Sequence, residues 1–153
     1  MIVVRPYKMK DSIKLSHTIN VVCENSPWMS TRSFVPTNAW IHAMETGDCH
    51  CHRLLIVEAN GEVIGWCRSF PVDYAVSPLH VELGIGLLPR YRNQGIGFEL
   101  IIRSLQWAKT AGLQMMDLTV STQNSIAVHV FTKCGFEPVY THGNKILMSV
   151  CLT

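Results

Sequence analysis

The stretch that decides the fold is Leu87-Leu88-Pro89-Arg90-Tyr91-Arg92-Asn93-Gln94-Gly95-Ile96-Gly97-Phe98, which continues an apolar run that begins at Val81. A strand therefore leads into a short basic loop, two glycines and a strongly helical stretch. The glycines allow the backbone to turn tightly and to approach a ligand closely. The helix begins with unpaired N–H groups at the positive end of its dipole, an arrangement that binds phosphate. The sequence predicts a site for a phosphorylated cofactor here.

The composition indicates one globular domain over residues 1–153, because 48% of the residues are hydrophobic and 16% are charged. A formal net charge of +2 is too small to favour nucleic acid or an anionic membrane surface as a partner. No apolar run approaches the roughly 18 residues of a membrane span, and residues 1–6 lack the layout of a signal peptide. We therefore expect a cytoplasmic protein that binds neither nucleic acid nor membrane.

The cysteines and histidines are expected to be structural. Nothing in the sequence suggests secretion, so the six cysteines are predicted to be reduced thiols. The cluster Asp48-Cys49-His50-Cys51-His52 contains metal-ligand residue types, but no second pair is spaced as in a zinc ribbon or finger. In a strand, alternation would also separate its cysteines from its histidines. We predict no metal site.

Periodicity and turn signals predict the order β-α-α-β-β-β-α-β-α-β-β, with a long loop over residues 25–37. Asn60-Gly61 is a strong hairpin signal between two of the strands, and Asp11 or Ser12 is a candidate N-cap for the first helix. The predicted strands are Ile2–Lys8, Leu54–Ala59, Glu62–Phe70, Val81–Leu88, Met116–Val120, Phe136–Tyr140 and Ile146–Leu152. The predicted helices begin at Asp11 or Ser12, cover Asn38–Glu45, run from Gly97 to near Gly112, and cover Ser125–Lys133. This order predicts a mixed sheet with helices on its faces.

Two segments resemble the acetyl-CoA-dependent N-acetyltransferase (GNAT) superfamily. They are Arg92-x-x-Gly95-x-Gly97, similar to that family's R/Q-x-x-G-x-G/A loop, and Asn124-x-x-Ala127-x-x-Val130-Phe131-x-Lys133-x-Gly135-Phe136, similar to its N-x-x-A-x-x-L-Y-x-K-x-G-F segment. They occur in the family's order and at its usual separation. The resemblance implies an α/β (α+β) fold: a mixed, mostly antiparallel seven-stranded sheet with helices on both faces, whose central strands splay to admit acetyl-CoA.

The resemblance also implies the activity and the cofactor site. It implies transfer of an acetyl group from acetyl-CoA to a primary amine of a small molecule or peptide, by direct attack in a ternary complex and without a metal. A bulge at Gly84 or Gly86 would let the strands separate, and an N–H near Gly86 or Leu87 would stabilise the oxyanion. Leu87 and Leu88 would pair with the pantetheine arm through their main chain. The implied cofactor residues are Leu87, Leu88, Arg92, Asn93, Gln94, Gly95, Ile96, Gly97, Phe98, Asn124 and Phe131.

Glu82 is the candidate general base, because it lies in an apolar strand where many relatives keep a glutamate that deprotonates the amine. The alternative is a strand glutamate that simply faces solvent. Asp73 and Tyr74, in the preceding loop, are weaker candidates for the same role.

Two residues of the second segment, Asn124 and Phe131, leave alternative interpretations open. Asn124 is expected to contact the cofactor arm, and it is equally typical of a helix N-cap; the two roles can coexist. Phe131 stands where relatives often have a tyrosine whose hydroxyl can protonate the leaving thiolate. Phenylalanine keeps the ring but donates no proton, so a non-catalytic acyl-CoA-binding module is the alternative function.

The acceptor site is expected where the first two helices and residues 25–37 approach the splayed strands. Its candidate residues share an apolar or aromatic side chain, and each could equally belong to the core. They are Trp28, Met29, Phe34, Trp40 and Tyr74. A homodimer through a sheet edge or the C-terminal strands is compatible with the predicted order.

A dinucleotide-binding fold is the rival interpretation of the glycines. The G-x-G pairs that begin at Gly84 and Gly95 partly match G-x-G-x-x-G, and Asp117 follows the second pair at about the distance of a ribose-binding acid. However, Leu100 occupies the position of the third glycine. A first half rich in hairpins also disagrees with a doubly wound parallel sheet, so this fold is disfavoured.

Overall fold

The protein folds around one sheet of seven strands in the order β1-β2-β3-β4-β5-β7-β6. The computed structural model describes residues 1–27, 33–46, 51–73 and 77–153. The strands are β1 (Ile2–Pro6), β2 (Arg53–Ala59), β3 (Glu62–Asp73), β4 (Ser77–Leu87), β5 (Met115–Ser121), β6 (Glu137–His142) and β7 (Lys145–Cys151). All neighbours are antiparallel except β4 and β5, which are parallel. The predicted mixed, mostly antiparallel seven-stranded sheet is confirmed.

Helices cover both faces of this sheet, as predicted. They are α1 (Ser12–Asn25), α2 (Asn38–Thr46), α3 (Ile96–Thr110) and α4 (Ser125–Lys133), with short 3₁₀ turns at Met9–Asp11 and Pro89–Tyr91. In α1, Leu15, Ile19 and Val22 recur at helical spacing and are buried together. Within the described ranges, no helix combines the length and the apolar character that crossing a bilayer requires.

Strand alternation divides the buried side chains into two cores. Along β2, Leu55 and Val57 face a core shared with α3 and α4. Leu54 and Ile56 face a second core shared with α1 and α2. Because β2 is buried on both faces, its sequence is a continuous apolar run rather than an alternating one.

Two details near the N-terminus differ from the predictions. β1 ends at Pro6 rather than Lys8, because the chain makes one more hydrogen bond to β2, from the Tyr7 N–H to the Leu54 carbonyl at 2.9 Å, and then enters the 3₁₀ turn at Met9–Asp11. Asp11 occupies the N-cap position of α1 but makes no cap hydrogen bond there. Its carboxylate instead accepts two hydrogen bonds from the Arg5 guanidinium and one from the Lys8 N–H.

The Cys-His cluster lies partly outside the described residues, which exclude Asp48, Cys49 and His50. Of its other members, His52 is fully buried and Cys51 is half-buried. Across residues 1–27, 33–46, 51–73 and 77–153, no three His, Cys, Asp or Glu side chains are grouped so as to hold a metal ion.

The centre of the sheet opens along β4 and β5. These strands pair only from His80 opposite Met115 to Glu82 opposite Asp117, although β4 continues to Leu87 and β5 to Ser121. Past this point the two strands are no longer hydrogen-bonded, so a gap opens between them. The predicted splay of the central strands is confirmed.

The glycines of β4 serve a different purpose from the one predicted. The register of β3 and β4 runs unbroken through Gly84 and Gly86, so the predicted bulge there is wrong. A Cβ on Gly84 would lie 2.6 Å from Nε of Arg68, and one on Gly86 would overlap the ring of Trp66. The two glycines therefore leave space for large side chains that cross from β3.

Candidate functional site

A cleft of about 460 Å³ occupies the gap between β4 and β5. Its walls come from the end of β4, the loop into α3, the first turns of α3 and α4, and the end of α1. The lining residues are Val22, Ser26, Ile85, Gly86, Leu87, Arg92, Asn93, Gly95, Gly97, Phe98, Ile101, Asn124, Ile126, Ala127, Val130 and Phe131. Of the predicted cofactor residues, all but Leu88, Gln94 and Ile96 are among them.

The loop that enters α3 is shaped by its own hydrogen bonds. Asn93 and Gly95 have left-handed backbones, with φ of 61° and 85°. Nε of Arg92 donates to the Leu87 carbonyl at 3.0 Å, which ties the loop to the end of β4. Nε2 of Gln94 donates to the Arg90 carbonyl at 2.8 Å. These contacts turn the chain so that α3 starts at the edge of the cleft.

The start of α3 is open to a ligand. Its N-cap, Gly95, has no side chain to offer, and the first bond of the helix runs from the Glu99 N–H to the Gly95 carbonyl. The N–H groups of Ile96, Gly97 and Phe98 precede that bond and have no acceptor within the helix. The side chain of Ile96 is buried in the core, so this residue contributes only its backbone. Three free donors at the positive end of a 15-residue helix form an anion site.

The main chain of β4 presents alternate residues to the gap. The Leu88 N–H donates to the Ile64 carbonyl at 2.9 Å, and the Leu88 carbonyl accepts from Tyr91 at 3.0 Å. Both main-chain polar groups of Leu88 therefore have partners within the protein. The N–H groups of a strand alternate in direction. The N–H of Gly86 therefore also points toward β3, whereas the N–H groups of Ile85 and Leu87 point toward the gap. Of the two predicted oxyanion donors, Leu87 is the one that faces the cleft.

Asn124 and Phe131 both line the cleft and both have structural partners. Oδ1 of Asn124 accepts from the Ala127 N–H at 3.3 Å, so Asn124 is the N-cap of α4. Phe131 is buried and packs edge-on against Phe136, with 6.0 Å between ring centroids. The cleft surface at this point is an aromatic ring without a hydroxyl.

A second, smaller pocket of about 200 Å³ lies beside Glu82, on the face of the sheet that α2 covers. Its lining residues are Thr37, Ala39, Trp40, Arg68, Phe70, Pro71, Val72 and Glu82. Oε1 of Glu82 accepts a hydrogen bond from Nη2 of Arg68 at 3.0 Å. The same guanidinium lies 5.3 Å from the ring centroid of Phe70. Sequence reasoning missed Arg68 and Phe70, which the alternation along β3 places on one face with Trp66.

The acceptor candidates are only partly described. Phe34 packs against Trp40 at 5.2 Å and Trp40 against Phe70 at 5.1 Å, both edge-on. Trp40 is thus both part of the core and a wall of the smaller pocket. The other acceptor candidates, Trp28, Met29 and Tyr74, lie outside the described residues, as does the side chain of Asp73, the weaker candidate for the general base.

A hydrogen-bonded chain on three strands lies next to Glu82. Nε2 of His80 lies 2.6 Å from Oδ2 of Asp117, and the Ser149 hydroxyl donates to Oδ1 of the same carboxylate. Asp117 is buried, and each of its carboxylate oxygens has a polar partner, as buried polar groups require. These partners also occupy the carboxylate that the rival dinucleotide interpretation would need for a ribose.

The fold and the cleft together describe an α/β protein that can hold a long phosphorylated ligand between two strands. The profile of the Acetyltransferase (GNAT) family matches residues 17–136, which is most of the chain. The chain therefore belongs to the GNAT acetyltransferase family, as the two motifs predicted.

Solved structures share this fold over nearly the whole chain. The GNAT-family acetyltransferase of Streptococcus pneumoniae superposes with a TM-score of 0.86, at 23% identity over 99% of both chains. The yncA protein of Salmonella typhimurium, solved with its cofactor acetyl-CoA, gives a TM-score of 0.82 at 19% identity, covering 99% of this chain and 94% of that one.

Curated relatives match over shorter stretches. A protein named "Probable N-acetyltransferase HLS1" from Arabidopsis thaliana is 32% identical over 82 residues, which are 44% of this chain and 20% of that protein. The mycothiol acetyltransferase of Saccharomonospora viridis is 29% identical over 92 residues, 57% of this chain and 30% of that protein. The chain thus spans less than a third of the length of these two relatives.

Proposed function

We propose that this protein transfers an acetyl group from acetyl-CoA to a primary amine of a small molecule or peptide. The observation that carries the proposal is the single cleft in which the gap between β4 and β5 meets the open start of α3. Membership of the GNAT family supports the reaction class, and the acetyl-CoA in the yncA structure supports the donor. We infer further that residues 1–153 form one domain and that the protein is cytoplasmic.

The donor site needs groups for a pyrophosphate and for an extended amide-containing arm. The N–H groups of Ile96, Gly97 and Phe98 bind the pyrophosphate, and Arg92 holds the loop that presents them. The pantetheine arm pairs with the main chain of Ile85 and with the Leu87 carbonyl, at the edge of β4 from which β5 diverges, and this leaves the Leu87 N–H for the oxyanion. Asn124 and Phe131 form part of the opposite wall of the cleft.

The reaction needs a neutral amine, a stabilised oxyanion and a leaving thiolate. Glu82 lies at the last paired position before the gap and takes a proton from the amine. The amine nitrogen then bonds to the thioester carbonyl carbon, and the Leu87 N–H stabilises the charge that develops on the oxygen. The C–S bond breaks, the CoA thiolate leaves, and the second proton of the nitrogen passes to that thiolate, so the products are the amide and the CoA thiol. Thiols have a pKa of about 8.5, so the thiolate is a tolerable leaving group even with Phe131 in place of an acid.

The experiment is to incubate the protein with acetyl-CoA and a panel of primary amines and to quantify free CoA by mass. Mass detection is preferable to a thiol reagent, because Cys151 is exposed and its hydrogen bonds with Thr153 lower the pKa of its thiol. We expect amine-dependent CoA release. Acetyl-CoA binding without release by any amine would contradict the proposal.

The role of Glu82 has its own test. At neutral pH the Glu82→Gln variant should lose rate, and the loss should shrink at high pH, where the amine is already neutral. Glu62→Gln, at the exposed turn between β2 and β3, is the matched control and should follow the wild-type profile. An equal loss at both pH values would remove the base role from Glu82.

The alternative function is a non-catalytic acyl-CoA-binding module. The specific observation in its favour is Phe131, because a phenylalanine ring at that wall of the cleft has no proton to donate. This function predicts tight binding of acetyl-CoA with no turnover. The assay of amine-dependent CoA release therefore distinguishes it from acetyl transfer.

A further inference from the structure

Arg68 is held in a fixed position at the wall of the smaller pocket. Its side chain crosses the backbone of Gly84, where a Cβ would come within 2.6 Å of Nε. Nη2 donates to the Glu82 carboxylate at 3.0 Å and Nη1 to the Glu82 carbonyl at 3.4 Å. The Phe70 ring covers the guanidinium at 5.3 Å. A position enforced by a glycine, an aromatic ring and two hydrogen bonds is preorganised rather than adventitious.

The guanidinium keeps donors for a further ligand. An arginine has five N–H donors in a planar fork, and hydrogen bonds within the described residues use one on each terminal nitrogen. The side chain is partly exposed and lines the pocket. Such a fork binds carboxylates more specifically than any other side chain does.

The pocket therefore presents opposite charges side by side. The Glu82 carboxylate and the Arg68 guanidinium lie 3.0 Å apart, and both residues line the pocket. An α-amino acid carries an amine and a carboxylate on one carbon, so it meets both charges at once. An alkylamine leaves the free donors of Arg68 unmatched, and a peptide N-terminus offers a neutral amide instead of a carboxylate.

The remaining walls of the smaller pocket indicate that the acceptor has an apolar side chain of modest size. Trp40, Phe70 and Pro71 line the pocket and are buried. A volume of about 200 Å³ is smaller than the roughly 300–1,000 Å³ of sites for drug-sized ligands. These dimensions favour a free amino acid over a longer chain.

We propose that the acceptor is a small α-amino acid with an apolar side chain, whose carboxylate binds Arg68 and whose amine faces Glu82. The inference rests on the proposed acetyl transfer and deepens it. The carboxylate of the acceptor takes the free donors of the guanidinium. Glu82 takes one proton from the ammonium group, the neutral amine then forms the N–C bond, and the second N–H proton passes to the CoA thiolate as the C–S bond of the donor breaks.

The test compares leucine, leucinamide and 3-methylbutylamine, which share one side chain and differ only in the carboxylate. At saturating acetyl-CoA, kcat/KM for leucine should exceed that for either analogue by at least about tenfold, the value of one charge-assisted hydrogen bond. The preference is expected even though the amine of leucinamide is the more easily deprotonated. Aspartate, of similar size but charged, should be a poor acceptor.

Arg68→Gln should raise KM for leucine and bring the ratio of leucine to leucinamide close to one, while Arg68→Lys restores part of it. Arg103→Gln, on the exposed face of α3 and paired with Glu99, is the matched control and should keep the wild-type ratio. Acetyl-CoA binding by calorimetry shows that each variant is folded. An unchanged ratio in Arg68→Gln would overturn the inference.

Different results would contradict the amino-acid acceptor and the proposed acetyl transfer. If the wild-type protein acetylates amines that lack a carboxylate as well as it acetylates leucine, the amino-acid acceptor is wrong and acetyl transfer stands. If no amine is acetylated at all, both are wrong.

Discussion

Glu82 on β4 and Asp117 on β5 are the last residues at which the two central strands stay in register. The strands separate directly after this pair, so it marks the closed end of the gap between β4 and β5. The chain of His80, Asp117 and Ser149 ties β4, β5 and β7 together at the same level. These contacts hold the strands together beside Glu82.

The hydrogen bonds that Asp117 makes with His80 and Ser149, here called the Asp117 clamp, should contribute to the stability of the sheet. Asp117→Asn keeps the shape of the side chain but replaces one of the two carboxylate oxygens that His80 and Ser149 contact with an amide nitrogen. We expect the free energy of unfolding in urea to fall by about 1–3 kcal/mol, the range for hydrogen bonds to a charged group. Ser149→Ala, which removes one partner and keeps the charge, should cost less. Equal stability of wild type and Asp117→Asn would mean that the clamp is not structural.

The open start of α3 should be essential for binding the donor. In Gly97→Glu a carboxylate enters the anion site, and acetyl-CoA affinity by calorimetry should fall at least tenfold, which is about 1.4 kcal/mol. Gly97→Ala is the matched control, because a Cβ there meets only Ile85 Cδ1, at 3.9 Å. Its affinity should stay near the wild-type value. Wild-type affinity in Gly97→Glu would show that the phosphates bind elsewhere.

Gly86 should be required for the fit of Trp66. A methyl group at Gly86 overlaps the indole ring, so Gly86→Ala should lower the free energy of unfolding by about 1–3 kcal/mol, the usual cost of overpacking. Trp66→Leu makes space but leaves a void. The double variant should therefore lose less stability than the sum of the single ones. Strict additivity in thermal or urea melts would contradict this steric account.

The ion pair of Arg5 and Asp11 should make stability depend on acid pH. Two hydrogen bonds of 2.8 Å from the guanidinium lower the pKa of the Asp11 carboxyl in the folded state. The unfolded chain, with an ordinary pKa of about 3.9, therefore takes up the proton first as the pH falls. The stabilisation is present above about pH 4 and is lost as the pH drops through the lowered folded pKa.

Urea melts between about pH 6 and pH 2 measure this effect. Wild type should lose about 1.5–3 kcal/mol more over that range than Asp11→Asn, which has no charge to lose. Parallel loss in the two proteins would assign the acid sensitivity to other carboxyls.

Phe131→Tyr distinguishes an enzyme that works without an acid from a binding module. Phe131 lines the cleft, so a hydroxyl added to its ring is expected to reach the region of the leaving sulfur. For the acetyltransferase we expect a gain in rate at neutral pH with little change in acetyl-CoA affinity. A variant that binds acetyl-CoA as before and still shows no turnover would favour the binding module.

The sequence predicted the features that depend on neighbouring residues. The tight turn at Gly95 and the helix that follows it lie within a few residues of each other, so their spacing alone carries the information. The order of elements followed from periodicity and turn residues in the same way. The splay of the strands came from the family resemblance, and the structure confirms it.

The features that were missed depend on which strands become neighbours. Arg68 and Glu82 are 14 residues apart in sequence, and Asp117 is 37 residues from His80 and 32 from Ser149. Only the order β3-β4-β5-β7 brings these side chains together. The predicted bulge at Gly84 was wrong for a related reason. From sequence alone, a glycine that makes room for a side chain of the neighbouring strand cannot be distinguished from a glycine at a bulge.

The most direct test of acetyl transfer uses acetyl-CoA labelled with deuterium in the acetyl group and follows both products by mass. We predict that each CoA released is matched by one deuterated acetyl group on an amine, with leucine among the best acceptors. Acetyl-CoA that binds the wild-type protein but yields no labelled amine would contradict the central claim.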